Sequence, residues 1–434
     1  MLKSILRSNM FKKIFQFASI YTGTNFLSQA LPFFLLPILT RYLSTSDYGI
    51  LATFMAAVGI ANVVASMGSN DAVVRGYFDK DKESFDFPKL VFNGISINVA
   101  ILLFLSLLVF LLRDYLGAML HLPPYWILLV PFIGFCRTIY RLPASLFLVE
   151  QKPVKYSVLT ISSILCELLF SIFFVVVMGL NWQGRVLGLT LDSSIFLFVG
   201  LVLLVRSNLF NFSLDFTYIK NILSYGIPIV FHSLGFVIVG AIDRFFINSM
   251  VGLSETGLYS VGYSISMIIG FFVGAFNMAW TPVFYQKLNH INSELKIKLV
   301  KITYMYFIGI IFASIALIFI APNLLRIFVD KKFFGSYQFI SWLALGYASH
   351  GMYVMVVNYI FYEKKTYILS IIAVATVILN IVFNYILIKF NGAVGAAQAT
   401  FLTFSLRFLA VWYFGNKVYP MPWFSFLKPV KVKK

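Results

Sequence analysis

Seven charged side chains stand inside otherwise apolar stretches of this chain. Arg137 and Arg141 are spaced i, i+4; Glu167, Asp192, the adjacent pair Asp243–Arg244 and Arg407 follow. Residues four apart lie on one helical face. A charge at membrane depth is costly and normally faces protein or water, so each of the seven is a functional hypothesis. A carboxylate there can change protonation as its helix moves, and a guanidinium can grip an anion through two parallel hydrogen bonds. Four arginines against three acids nearly balance. Pairs such as Arg137–Glu167 and Arg141–Asp192 could therefore equally serve only to brace neighbouring helices.

The elements that hold these residues follow from composition. Sixty per cent of the 434 residues are hydrophobic, 18% aromatic and 12% charged, against roughly a quarter charged in soluble domains. Spanning a membrane takes about 20 mostly apolar residues, and twelve blocks meet that need: 14–39, 47–70, 90–112, 125–149, 154–178, 184–205, 222–248, 256–282, 302–320, 338–362, 366–388 and 393–415. They are too long, and alternate too little, for barrel strands. The pattern predicts an all-α integral membrane protein with twelve transmembrane helices.

The net charge of +18 fits membrane topology better than nucleic-acid binding. With the first residues in the cytoplasm, 23 of the 34 Lys and Arg fall on inner segments and seven on outer ones, Arg41 and Arg185 among them. This is the positive-inside bias, with both termini cytoplasmic. The opening "MLKSILRSNMFKKIF" is basic like a signal peptide, yet the apolar run after it is too long and lacks a cleavage site, so a retained first helix is expected. Cys136 and Cys166 match no metal or redox spacing and read as buried thiols.

The chain also says one thing twice. "SDYGIL" from Ser46 and "SETGLY" from Ser254 lie 208 residues apart, each at the head of a predicted helix. Serine there suits an N-cap, Asp47 and Glu255 suit the positive end of the helix dipole, and the glycine that follows would allow close approach to a neighbouring helix. "QGRVLG" at 183 and "NGAVGA" at 391 repeat the same offset, and "VEQK" (149–152) against "YEKK" (362–365) gives a weaker echo at 213. Two six-helix bundles in a parallel pseudo-twofold repeat follow: residues 1–205, a cytoplasmic linker 206–221, and 222–434 with a short basic tail. Such repeats are typical of secondary transporters, with the substrate site between the halves.

Several stretches resemble the polysaccharide-exporter family, whose best-known members are the O-antigen (Wzx-type) flippases. These are "PILTRYLSTSDYG" (37–49), "MGSNDAVVRGYFD" (67–79), "YGIPIVFHSLG" with "DRFFINSMVGLSETGLYSVGYSI" (225–265), and "FNMAWTPVF" (276–284). The resemblance covers most of residues 30–290 and implies a MATE-like fold, that of multidrug-and-toxin extruders, with helices 1, 2, 7 and 8 lining a central cavity. It implies a polyprenyl-diphosphate-linked oligosaccharide as cargo, moved to the outer leaflet of the bacterial cytoplasmic membrane. A polysaccharide polymerase and chain-length proteins are further implied partners.

On that fold Arg244 and Arg75 are the candidates for the diphosphate, since arginine meets phosphate bidentately. Arg244 could instead form an outer-gate ion pair, and Arg75 could be an ordinary inner-side charge. Thr22, Asn25 and Gln29 share one face of helix 1; they could meet sugar hydroxyls or bond across to a neighbouring helix. His232, Asn277 and Trp280 join the substrate candidates, Trp280 also suiting an interface anchor. Asp243, Arg41, Glu167 and Asp192 are the candidates for ion coupling or gating. No cofactor is expected beyond a coupling ion, H+ or Na+. Pro32, Pro37 and Pro228 should bend helices 1 and 7, and the pairs Gly184/Gly188 and Gly270/Gly274 suit close helix packing.

An enzyme fits poorly. "DKD" at 79–81 has the acid-x-acid form of a metal site but sits in a charged loop, and no loop is long enough for a catalytic domain. An ion-coupled drug or toxin antiporter of the same fold is the closer alternative, although the arginines favour an anionic cargo. If Arg244 and Arg75 bind the diphosphate, Arg244→Ala and Arg75→Ala each lower surface polysaccharide in a complemented deletion strain while the protein stays inserted. Full restoration by both variants removes the assignment.

Overall fold

The computed structural model describes residues 9–83, 85–289 and 292–424. Among them there is no strand, and each of the twelve apolar blocks is a helix or a broken helix. α1 (Asn9–Ala30) breaks at a 3₁₀ turn over Leu31–Phe34 and resumes as Leu35–Tyr42; Pro32, which lacks an N–H to donate, sits in that turn. Then come α2 (Thr45–Ser66), a short helix Ser69–Gly76, α3 (Phe87–Leu120), α4 (Pro124–Val149), α5 (Pro153–Val177) and α6 (Asn181–Arg206). α7 (Phe216–Met250) bends by 45° between Gly235 and Val237 rather than at Pro228. α8 (Leu253–Leu288), α9 (Ser293–Phe328), α10 (Tyr337–Tyr362), α11 (Thr366–Asn391) and α12 (Val394–Val418) complete the chain. Ten of these are by themselves long and apolar enough to cross a membrane, and the bent α7 makes an eleventh. This is a multi-pass membrane protein.

The repeat is present with two spacings. α2 and α8 begin at Thr45 and Leu253, 208 apart, whereas α5 and α11 begin at Pro153 and Thr366, and α6 and α12 at Asn181 and Val394, both 213 apart. The weaker sequence echo therefore carries the register of the later helices. The glycines aligned at 208 there do different work. Gly184 abuts the Phe174 backbone, whereas Gly392 ends α11 at φ +59° with open space around it.

Contacts divide the chain into two compact units, Met1–Gly257 and Leu258–Lys434. The boundary expected at 206–221 falls inside the first unit, because α7 packs along α2 and α3 and carries 216–250 with it. α2 is the axis of this unit. At its head a side chain on Gly49 would run into the Leu253 carbonyl, and one on Gly257 into the Thr45 carbonyl. The two glycines of the repeated motif thus let the helix starts cross backbone to backbone. At the other end Gly68 and Gly226 abut in the same way. The serines of the motif are not the caps. Ser44 caps α2, its hydroxyl accepting from the Asp47 N–H (3.1 Å) while Asp47 accepts from the Ser44 N–H (3.1 Å), a capping box one turn long. Ser254 instead shares a hydrogen bond with Thr45 (2.8 Å).

Of the proposed small-residue pairs, Gly184 and Gly188 both pack tightly on the end of α5. Gly270 meets Tyr347, but Gly274 has no neighbour to admit.

The segment between α6 and α7 is strapped to the start of α3. Lys89 pairs with Asp215 (2.7 Å), Asn211 donates to Asp86 (2.8 Å), and Asn93 both donates to the Ser213 carbonyl and accepts from the Asp215 N–H (2.9 Å each). The second unit is built around α10, whose inward face is buried against α9 and α12. Phe284, Tyr359, Trp412 and Trp423 give this unit an aromatic base.

Two outcomes follow. Gly49→Val should cost about 1–3 kcal/mol by overpacking a backbone contact, read as a lower melting temperature of the detergent-solubilised protein. The Lys89 ammonium holds the Asp215 carboxyl down at about 2, against about 3.9 when unfolded. A depressed carboxyl stabilises above its unfolded value and loses that contribution as pH falls through its folded value. Asp215→Asn should therefore lower the melting temperature at neutral pH, with the two proteins converging near pH 2.

Candidate functional site

Polar side chains from four helices of the first unit meet around a cavity of about 230 Å³. α2 and the short helix after it bring Asn62, Ser66, Asn70 and Asp71; α4 brings Thr138, Arg141 and Ser145; α7 brings Ile229, Val230 and Ser233. A Cβ on Gly134 would lie 3.0 Å from the backbone at Ala61 and Asn62. This close approach lets Asn62 reach across, donating to the Gly134 carbonyl (3.0 Å) and to Thr138 Oγ1 (3.2 Å). Asn70 donates to the Thr138 carbonyl (2.9 Å), while its own Oδ1 is buried with no hydrogen-bond partner. An unmet acceptor in a low-dielectric interior is costly, and a cavity of this size holds waters or a ligand donor that would satisfy it.

Arg141 gives the cavity its positive charge. Its Nη1 donates to Asn62 Oδ1 (3.1 Å), and among the described residues no carboxylate lies within ion-pairing distance of it. Asp71 lines the same space without pairing to it. A guanidinium has five N–H donors in a fixed fork, so most of this one remains available to an anion.

The neighbouring charges are used differently. Arg137 pairs with Glu167 (3.0 Å), as its sequence position suggested, and buried Arg185 pairs with the same carboxylate (2.6 Å) while donating to Ser171. Arg185, expected in an outer loop, is thus part of α6 and 7% exposed. Arg141 and Asp192 do not pair. Asp192 is 3% exposed, with Oδ1 unbonded. The two arginines of α4 therefore diverge, one into the α4–α5–α6 wall and one toward α2. A spacing of four residues offsets them around the helix, and long side chains widen the angle.

The other sequence candidates are dispersed. Arg75 is exposed in a separate notch of about 120 Å³ with Asp79, Asn221 and Tyr225, its guanidinium 5.5 Å from the Tyr225 ring. Arg244 donates to the Gly240 carbonyl of its own helix, and Asp243 is fully buried; neither lines the cavity. Arg41 is exposed at the end of Leu35–Tyr42. On α1, Asn25 accepts from Tyr156 (2.9 Å) and Gln29 donates to the Asn25 carbonyl (3.3 Å), while Thr22 is exposed. For Asn25 the bond to a neighbouring helix is the one made. In the second unit, Asn277 accepts from Thr281 (3.0 Å) and Trp280 stacks on Phe276 (centroids 5.9 Å). The side chain of His232 lies outside the described residues.

The cavity residues were legible as a pattern. Asn62 and Ser66 step by four along α2, Asn70 follows on the short helix after it, and Thr138, Arg141 and Ser145 step by three and four as one polar stripe on α4.

The model of a family described as "Polysaccharide biosynthesis protein" matches residues 14–288. The chain belongs to this family. A second model, MatE, matches residues 228–386. An uncharacterized membrane protein of Haemophilus influenzae is 24% identical over 353 residues, covering 80% of this chain and 84% of that one. Among solved structures, an inward-facing multidrug resistance MATE family transporter of the MOP superfamily aligns with a TM-score of 0.75 at 13% identity, covering 90% of this chain and 94% of that one. The lipid II flippase MurJ in its inward closed conformation aligns with a TM-score of 0.75 at 15% identity, covering 91% and 86%. This polysaccharide biosynthesis protein therefore has the MATE-like fold.

Its two kinds of arginine predict different stabilities. Glu167→Ala strands two guanidinium groups and should cost about 3–5 kcal/mol. Arg141→Ala breaks no ion pair and should stay within about 1 kcal/mol of wild type, as for loss of one modest hydrogen bond. Thermal melts of both variants in one detergent check the contrast.

Proposed function

We propose that this chain is a flippase that carries a polyprenyl-diphosphate-linked oligosaccharide from the inner to the outer leaflet of the bacterial cytoplasmic membrane, for O-antigen, capsule or exopolysaccharide synthesis. The observation that carries the reading is Arg141, a guanidinium with no carboxylate partner among the described residues, in a polar cavity within the spanning helices. Charges in such a place mark substrate pathways, and a forked donor suits a diphosphate better than a point charge does. Family membership supplies the polysaccharide context, and similarity to a lipid II flippase supports a lipid-linked cargo.

In this reading Arg141 meets the diphosphate, while Asn62, Asn70, Thr138 and the serines offer hydrogen bonds to phosphate or sugar. Arg75 in its notch provides a first contact at the membrane surface, and Arg244 a later one. Asn25, Gln29, Thr22, His232, Asn277 and Trp280 remain candidates for sugar contacts. Transport proceeds by alternating access, with both termini cytoplasmic as the distribution of Lys and Arg favours. If an ion couples the step, Asp243 and Asp192 are the carboxylates for it, since Glu167 is committed to two ion pairs. A polymerase and chain-length proteins would take the delivered unit onward.

A second reading, an ion-coupled multidrug antiporter, is favoured by the MatE match and by the multidrug transporter of the same fold. Most such cargo is cationic, and Arg141 would repel it.

Deletion of the gene in its native host separates these readings. A flippase leaves the complete repeat unit stranded on its lipid carrier and the surface polymer absent. Arg141→Ala should restore less than about a tenth of that polymer, as expected for loss of a charge-assisted contact worth about 1.5–3 kcal/mol. Unchanged polysaccharide with new drug sensitivity would instead establish the antiporter.

A further inference from the structure

Between α3 and the helices α2, α4 and α7, which also line the polar cavity, lies a second space of a different character. It is an apolar groove of about 340 Å³, and every side chain lining it is nonpolar. Ala57, Ile60, Ala61 and Val64 of α2 form one wall and Leu105, Val109 and Leu116 of α3 another; Val130 and Pro131 of α4 and Phe245 of α7 complete it. Along α2 and α4 the groove gives way to the cavity within about two turns, and along α7 within about three. Ala61 and Val64 alternate with Asn62 and Val63 on α2, Pro131 is followed by Thr138 on α4, and Phe245 lies about three turns from Ser233 on α7.

The groove is open to the membrane side. α3 turns Leu107 and Leu111 outward (58% and 70% exposed) while Leu105 and Val109 face in, and Met119 stands at the rim, 43% exposed. Alanines at 57 and 61 leave room between α2 and α3 that larger side chains would fill.

A ligand with an anionic head and a long hydrocarbon chain has the same sequence of chemistries, polar and then apolar, that these helices present. We propose that the groove seats the isoprenoid chain of the cargo while the cavity holds its diphosphate. The inference rests on the flippase reading and extends it. A chain held there stays out of the polar cavity, so no hydrocarbon has to be hydrated while the head group moves. An acyl phospholipid would fit the groove's apolar character too, but it offers the guanidinium a single phosphodiester where the cargo offers a diphosphate.

The test uses the full-length protein in phosphatidylcholine nanodiscs, titrated with undecaprenyl diphosphate, with inorganic diphosphate and with phosphatidylglycerol. Met119→Trp fills the groove from its exposed rim and Ala57→Phe from its floor, so one variant remains informative if the other does not fold. Each should weaken undecaprenyl diphosphate by at least about tenfold, equivalent to losing about two buried methylenes, and leave inorganic diphosphate unchanged. Arg141→Ala should weaken both diphosphates. If undecaprenyl diphosphate binds both groove variants as it binds wild type, the groove assignment is wrong and the flippase reading stands. A groove that loses phosphatidylglycerol as strongly is an ordinary lipid site, which also overturns the assignment. Wild-type protein that binds neither diphosphate removes the flippase reading itself.

Discussion

Helix α2 is held at three levels by contacts in which backbone lies directly against backbone, and the rest of the first unit is arranged around them. Gly49 meets the start of α8, Gly134 of α4 meets Ala61 and Asn62, and Gly68 meets Gly226 of α7. In lipid the hydrophobic effect does not drive helices together, because the tails are as apolar as leucine. Close van der Waals packing and interhelical hydrogen bonds must do it. Glycine permits both: it removes the side chain that would hold the helices apart and brings Asn62 within reach of the Gly134 carbonyl and Thr138.

That approach has a chemical consequence. Asn62, engaged through its amide nitrogen, presents its oxygen to Arg141. A guanidinium is thereby oriented in a space where, among the described residues, no carboxylate comes within ion-pairing distance of it, although Asp71 lines the same cavity. Glu167 does the opposite for Arg137 and Arg185, gathering two positive charges into the wall. An ion-paired guanidinium and one held only by an amide oxygen thus stand on neighbouring faces of α4. The apolar groove next to the cavity belongs to the same construction, since the alanines of α2 that open it are turns of the helix that also bears Asn62 and Ser66.

The architecture was largely open to a reading of the chain. Blocks of about 20 apolar residues are strong signals because hydrocarbon leaves the backbone no alternative to helix, and all twelve blocks became helices. In the repeated serine–acid–x–glycine motif the acid's role in helix initiation and the glycine's role in close helix approach were both legible, while the serine's role as cap was not. Asp47 does serve helix initiation, while the glycine carries the larger role, a crossing of two helix starts that are 208 residues apart. Helix initiation is local and can be inferred from neighbours along the chain; a crossing depends on which helix comes alongside.

The sequence by itself determined the solvent of this protein, its helix count and its duplication, because each of these is a sum over many residues or a spacing along one strand. Tertiary structure alone decided which charges cancel. Arg137 and Arg141 are equivalent in the chain, and Arg185 looked like a loop residue. Their partners come from α5 and α2. Electrostatic roles at membrane depth depend on separations of a few ångströms in a low dielectric, and those separations exist only once the helices have packed.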